Sequence, residues 1–453
     1  MNNHIKRQLH TTVKKMSKPT VGNKLFTNVP KDVWTLTGEI AGKAKADPKN
    51  ANREIISLGQ GFFSYAPPQF LIDAANKAMS SNPLNNQYAP TRGDLQLIDS
   101  LKNYYNQFYQ KNLTNENILV TTGANEAILA CLIGILNPNE EVIVLEPFFD
   151  QYISNIKIPQ GKIKYVTIHP PKNLSEGKHT GNDWKINYDE LEAAINEKTK
   201  ILIINTPHNP IGKVFTKEEL IKIGDICYKH NVKIISDEVY EQLYFDDSLK
   251  FPRIATLDPK YADITLTVGS FGKAFCATGY RVGYIISENA ELLKYAASAH
   301  TRICFSTPHP PQIACAESLN LASKNSYFED MRNEYDGKFQ KLMKTFDALN
   351  ISYTIPQGTY FIIADFSKLK VPFDTYHFPE EIASKPKDFK LCYWLAVEMG
   401  IITIPTTEFF TEETIANDKT GIEYLLRFAV CKTDDYIDKA CERLLELKPY
   451  IGK

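Results

Sequence analysis

The chain has 453 residues, with 52 Lys plus Arg against 53 Asp plus Glu, a formal net charge of −1, and 43% hydrophobic residues. This length supports a large core and two or three domains at roughly 150 residues each, and the balanced charge excludes attachment to nucleic acid through a broad basic surface. The longest nearly continuous apolar run, residues 127–136, is interrupted by Gly134 and falls well short of the ~20 residues that span a bilayer, so no membrane span is expected. Eight cysteines, at 131, 227, 276, 304, 315, 392, 431 and 441, form no CxxC pair and no ligand cluster with histidine along the sequence. Reduced, scattered thiols and no metal site are expected.

In chain order, the first feature is a basic tail. Lys6, Arg7, Lys14, Lys15, Lys18, Lys24 and Lys31 precede the first acid, Asp32. On a helix Ile5, Leu9, Val13 and Met16 share a face, and Pro19 ends it. This acid-free amphipathic start resembles a mitochondrial presequence, with a disordered basic tail as the alternative. A second start at Met16 would leave a cytosolic form, so a mitochondrial and/or cytoplasmic location is expected.

Next comes Gly59-Gln60-Gly61-Phe62-Phe63-Ser64, behind the apolar run 55–58. It looks like the opening of a dinucleotide fingerprint, but Pro67 and Pro68 follow and the third glycine is missing, which disfavours a nicotinamide site. No GxxxxGK followed by Ser or Thr occurs, which disfavours a P-loop NTPase. Apolar, β-rich runs then recur at 141–145, 201–205, 232–236, 264–268 and 282–286, with helical patterns at 124–135 and 217–229. Thr216 and Glu219 form a capping box for the latter. The alternation predicts an α/β fold with a mostly parallel sheet sandwiched by helices. Polar stretches 169–184 and 371–388 read as surface loops. Beyond residue 325 a long amphipathic helix, 327–349, leads to strands at 360–364, 401–404 and 425–430 and a last helix at 434–447, a smaller α+β domain.

The chemistry is concentrated between Ser270 and Gly283. Lys273 follows directly on a strand, at the edge where open α/β sheets bind ligands. Ser270 stands three residues before it and Arg281 eight after, flanked by glycines. That places an amine nucleophile beside a phosphate clamp. Two upstream strands end in Thr206-Pro207-His208-Asn209-Pro210 and in Asp237-Glu238-Val239-Tyr240. Singly, Asn209 is a turn residue before proline and Asp237 a helix cap. Arg427 lies in an otherwise apolar strand, where a charge is costly unless paired.

In this order, Asn-Pro, Asp-x-x-Tyr, Ser-x-x-Lys and Arg, the chain resembles the class I, fold-type I pyridoxal-phosphate aminotransferases from about Phe26 onward. Leu58 to Phe62, Asn86-Gln87-Tyr88, Glu146 to Tyr152 and Gln357 to Phe361 resemble the kynurenine aminotransferase group, also called glutamine transaminase K or cysteine-conjugate β-lyase, and within it the fungal kynurenine aminotransferase. The resemblance implies a tail at 1–25, an N-terminal arm at 26–65 packing with the small domain, a large cofactor domain at 66–325 and a small domain at 326–453. It implies that Lys273 forms a Schiff base with pyridoxal 5′-phosphate and later acts as general base, and that Asp237 holds the protonated pyridine nitrogen. Tyr240 and Asn209 would bond the phenolic oxygen, and Phe149 would stack on the ring. Ser270, Arg281 and the N–H groups of Ala124 and Asn125 would hold the phosphate, joined by Tyr88 from a neighbouring subunit, which implies a homodimer with shared sites. Arg427 would clamp the substrate carboxylate as a paired contact, with Asn209, Gly61 and Trp34 closing over the amino acid and Phe305 facing its side chain from the other subunit.

Arg302 is not the residue this resemblance turns toward the pocket. Ser306 stands where some relatives carry histidine, and His208 reads as a loop residue. The activity implied is transamination of L-kynurenine, and of other aromatic or sulfur amino acids, with a 2-oxo acid acceptor, giving kynurenic acid. Cysteine-S-conjugate β-lysis and broad glutamine/aromatic transamination are the alternatives. A cofactor-free binding protein on the same fold would require the loss of a key residue, and all are present.

Overall fold

Runs dominated by Ile, Val and Leu, apolar on both faces, form the centre of a sheet covered by helices on each side. The computed structural model describes residues 22–27, 31–245 and 251–452; the helix expected through Ile5 to Met16 lies outside them. Eight strands make the main sheet: β1 (Ile118–Thr121), β2 (Glu141–Glu146), β3 (Lys162–His169), β4 (Lys185–Ile186), β5 (Thr199–Asn205), β6 (Lys233–Asp237), β7 (Thr265–Ser270) and β8 (Gly283–Ile286). Their order is β1-β8-β7-β6-β5-β2-β3-β4. Neighbours pair in parallel from β7 to β3, whereas β8 runs antiparallel to both β1 and β7, and β4 antiparallel to β3. The mostly parallel sheet expected from the sequence is therefore present.

A second sheet has the order Ile404–Pro405, Leu425–Ala429, Phe361–Asp365, Ser352–Ile355 and Lys178–Thr180. The arm joins the C-terminal part of the chain twice. Ile56–Ser57 pairs in parallel with Ile401–Ile402, and helix α1 (Val33–Ala46), capped by Asp32 through the Thr35 N–H at 2.7 Å, packs on Lys387–Met399. Helices α2 (Ala124–Ile135) and α3 (Lys217–Lys229) have the predicted bounds, and the Thr216/Glu219 capping box is formed. Helix α4 (Ala290–Ile303) packs along α2.

The stretch 169–184 departs from its expected surface-loop character. Its Lys178–Thr180 is a strand pairing with Ser352–Ile355, and Trp184 is fully buried with its indole N–H donating to Thr354 Oγ1 at 3.1 Å. Its polar composition hid this, because the partner strand lies some 170 residues away. The stretch 371–388 likewise buries Val371, Phe378, Ile382 and Asp388.

Candidate active site

Parallel strands bring their C-terminal ends to one edge, and here those ends carry the functional side chains. Asn205, Asp237 and Ser270 are the last residues of β5, β6 and β7. Asn205 is in register with Asp237, and Ser270 and Thr121 both face Gly283 across β8. Above this edge lies a cavity of about 400 Å³, lined by residues from the arm, the sheet edge and the C-terminal strands.

One end of the cavity is an anion cradle. The backbone turns at Gly123, φ +80°, to start α2 with Ala124 and Asn125. The Arg281 guanidinium packs so closely over Gly123 that a Cβ there would lie 2.6 Å from Nη2. Its Nη1 donates to Thr278 O at 3.1 Å and Nη2 to Thr122 O at 3.5 Å. Ser270 lines the same cavity. Free N–H groups at a helix start, a hydroxyl and a guanidinium are the donor set for a phosphate. Gly283 makes the approach possible, since a Cβ on it would sit 2.6 Å from Gly123 C and 2.7 Å from Ala124 N.

The middle holds an amine and a buried carboxyl. Lys273 Nζ donates to the Tyr360 hydroxyl at 2.7 Å, which in turn donates to Gly61 O at 2.8 Å. Burial, helped by the Arg427 and Arg281 cations, pulls the lysine down to about 8. Asp237 is buried and accepts from the Tyr152 hydroxyl and, at 3.4 Å, from Val239 N–H. Burial pushes its carboxyl up to about 6 against those bonds. Asn205 ties the edge together, donating to Asp237 O at 3.0 Å and accepting from Asn209 N–H at 2.7 Å. Burial also raises Tyr240 above its ordinary value, so its hydroxyl remains a donor. Phe149 lines the wall and meets Tyr152 edge to face at 5.7 Å.

The far end is cationic and aromatic. Arg427 is fully buried, with Nη1 donating to Asn209 Oδ1 at 2.9 Å and Nη2 to Gly59 O at 3.0 Å, while Nε has no partner. Its guanidinium carbon lies 4.1 Å from the Phe361 ring centre and 5.5 Å from that of Trp34. Burial pulls it down to about 10, so it is still charged at neutral pH. Among the described residues no ion pair reaches it. A buried cation without a carboxylate partner is costly, and this one faces the cavity. Trp34 lines the wall and donates from Nε1 to Asp150 Oδ2 at 3.1 Å. Gly61 lets the arm lie against the aromatic floor, where a Cβ would fall 2.8 Å from the Phe361 ring.

Twelve of the fourteen residues expected at the site thus line one cavity: Lys273, Asp237, Tyr240, Asn209, Phe149, Ala124, Asn125, Ser270, Arg281, Arg427, Gly61 and Trp34. Tyr88 and Phe305 do not. They pack edge to face on each other at 5.3 Å, 82% and 52% exposed, and Tyr88 lines a separate surface cavity of about 570 Å³. Arg302 folds back on its own helix, donating to Ser298 O at 2.8 Å. His208 is buried and held neutral, as burial drives it down to about 3.

Asn205, Tyr152, Tyr360 and Phe361 received no role from the sequence. Tyr152, Tyr360 and Phe361 lie in segments that carried the resemblance, but their contacts are with residues far along the chain.

All of the cavity's lining residues except Trp34 fall within a segment that matches a known family. Residues 53–444 match the family model described as aminotransferase class I and II. The chain is similar to a Saccharomyces cerevisiae protein named probable kynurenine–oxoglutarate transaminase, 56% identical and covering 97% of this chain and 98% of the relative. A kynurenine–oxoglutarate transaminase of Dictyostelium discoideum is 35% identical, covering 97% and 100%. The crystal structure of Bna3p from Saccharomyces cerevisiae has a TM-score of 0.92 at 56% identity, over 96% of this chain and 100% of that one.

Proposed function

Because this chain belongs to the class I and II aminotransferase family, we propose that it transfers the amino group of L-kynurenine, and of other aromatic or sulfur amino acids, to a 2-oxo acid by means of pyridoxal 5′-phosphate. Its fold is that of the fold-type I aminotransferases. The residues present fit the cofactor. A phosphate matches the cradle at Gly123 to Asn125, Ser270 and Arg281. A protonated ring nitrogen matches the buried Asp237 carboxyl, and an aldehyde matches an amine pulled down to about 8. Tyr240 and the amide nitrogen of Asn209 would serve the phenolic oxygen, and Phe149 the ring face. When bound, the ring accepts the electron pair left on the substrate Cα, chemistry that no side chain supplies.

The chain's own residues do the rest. Arg427 holds the α-carboxylate through two N–H groups, fixing which face of the substrate meets Lys273. Lys273, with a substantial neutral fraction near its pKa of about 8, takes the proton from Cα. Tyr360 holds that amine in line through the 2.7 Å bond. Trp34, Phe149 and Phe361 form aromatic walls that suit an aromatic or thioether side chain and exclude water.

The observation that carries the reading is Arg427, a buried cation facing the cavity with no ion-paired carboxylate among the described residues. Incubation of the cofactor-loaded protein with L-kynurenine and a panel of 2-oxo acids tests it, with kynurenic acid as the expected product. Loaded protein that forms none would overturn the kynurenine reading. Pyruvate from a cysteine S-conjugate, without transaminated product, would instead assign β-elimination. The exposed pair Tyr88 and Phe305 supports a homodimer in which each reaches the other subunit's cavity. The basic, acid-free residues before Asp32 support a mitochondrial address; fractionation of tagged full-length chain checks it, and residence only in the cytosol would contradict it.

A further inference from the structure

Behind the anion cradle, three ligand-type side chains converge where the sequence showed no cluster. Glu126 sits in the first turn of α2, His300 in the last turn of α4, and Cys304 just beyond it. His300 is fully buried, Glu126 almost so, and Cys304 partly exposed. His300 Nδ1 lies 3.0 Å from both Glu126 oxygens and 3.4 Å from Cys304 Sγ. The three donor atoms all fall within 4.8 Å of one another. The Thr122 hydroxyl is 3.3 Å from the same sulfur.

A histidine–glutamate hydrogen bond accounts for only two of these groups. Nδ1 carries at most one proton, so it cannot donate to both the carboxylate and the sulfur; the sulfur accepts instead from the Thr122 hydroxyl at 3.3 Å, and the thiol donates to His300 O at 3.7 Å. Around a tetrahedral zinc, by contrast, nitrogen, oxygen and sulfur ligands stand about 3.3–3.6 Å apart. The nitrogen–oxygen and nitrogen–sulfur separations of 3.0 and 3.4 Å reach that spacing after an adjustment of a few tenths of an ångström, and the carboxylate lies within 4.8 Å of the sulfur. The sequence hid the set because Glu126 is far from the His-x-x-x-Cys pair, which shares one helical face.

We propose that Glu126, His300 and Cys304 form a zinc-binding site with a fourth position left for water or the Thr122 hydroxyl. Binding forms one bond each from nitrogen, oxygen and sulfur to the ion; the thiol proton leaves to solvent, and the proton shared between Nδ1 and Glu126 moves to Nε2 of the neutral imidazole. Cys304 lines the surface cavity beside Tyr88. The site is coupled to the cradle. Glu126 Oε2 accepts from Thr122 N–H at 2.9 Å, and Arg281 reaches Thr122 O. The site rests on geometry independent of the proposed activity.

The test uses the full chain, reduced and loaded with pyridoxal phosphate, equilibrated with zinc and dialysed against metal-free buffer before metal analysis. The parent is expected to keep about one zinc per chain. Cys304→Ser, a near-isosteric change at a partly exposed position, should hold it at least tenfold more weakly, as should Glu126→Gln, with circular dichroism to verify folding. Cys441→Ser, another partly exposed cysteine, should keep it. Cobalt should give tetrahedral visible absorption in the parent and not in Cys304→Ser. A parent that keeps no zinc, or equal zinc in the parent and Cys304→Ser, would overturn the proposal.

Discussion

At the scale of single residues, the site stores opposed charges that the fold alone does not favour. Folded Asp237 keeps its proton up to about pH 6, whereas the unfolded chain releases it near 3.8. Stability from this group is therefore lost as pH rises between those values and stays lost above them. The difference corresponds to about 3 kcal/mol at neutral pH. Cofactor-free Asp237→Asn should be more stable than the parent in denaturant titrations at pH 8, by about 2 kcal/mol, and no more stable at pH 4. The same variant should bind pyridoxal phosphate more weakly, and loss of stability at pH 8 would contradict this balance. Lys273 behaves in the opposite sense. Its folded value of about 8 against 10.5 unfolded means stability is regained only as pH rises through that window.

At the far end, Arg427→Lys keeps the charge but not the paired contact. It should raise the amino-acid KM by roughly tenfold or more, with a smaller fall in kcat. Steady-state kinetics with varied donor decides this, and an unchanged KM would remove Arg427 from the clamp.

At the scale of elements, the site depends on how closely β8 passes under the start of α2. A methyl on Gly283 would meet backbone atoms of Gly123 and Ala124 at 2.6 and 2.7 Å, which cannot swing aside as a side chain would. Gly283→Ala should cost about 1–3 kcal/mol and should weaken cofactor retention by spreading the cradle. Thermal unfolding and cofactor titration check it, and a variant normal in both would mean that the approach is slack. The elements that carry the chemistry were legible because their signals are local. Helix α2 is a long apolar run and α3 is amphipathic with a capping box, and β5 to β7 are runs rich in apolar and β-branched residues that end in polar ones.

Pairings across long separations were not legible. Strand β3 alternates lysines with apolar residues and gave no clear signal. Lys178–Thr180 is too short and polar to be seen without its partner. For the same reason the Tyr152–Asp237 and Tyr360–Lys273 contacts could not be read, since they join residues 85 and 87 positions apart. The type of residue at the site was visible, but the hydrogen-bonding that tunes it was not.

At the scale of the whole molecule, the near-zero net charge conceals an acidic body, because the basic excess lies ahead of Asp32. Anionic ligands must then be held by local devices, and the cradle and Arg427 supply them. Tyr88 and Phe305 lie on the surface of a single chain, so the roles proposed for them require the second subunit of the proposed dimer. Mixing inactive Lys273→Ala with impaired Tyr88→Ala and letting the subunits reassort should restore activity above the sum of the two parents. One site in each hybrid then has both residues intact. No gain on mixing, with hybrids demonstrated by mass, would confine Tyr88 to its own subunit.

Lys273 is the amine around which the cavity is built. Reducing the pyridoxal-phosphate-loaded protein with borohydride and mapping the labelled peptide by mass tests this most directly. A single pyridoxyl mark on Lys273 is expected, and a mark on another lysine, or none, would remove Lys273 from its role.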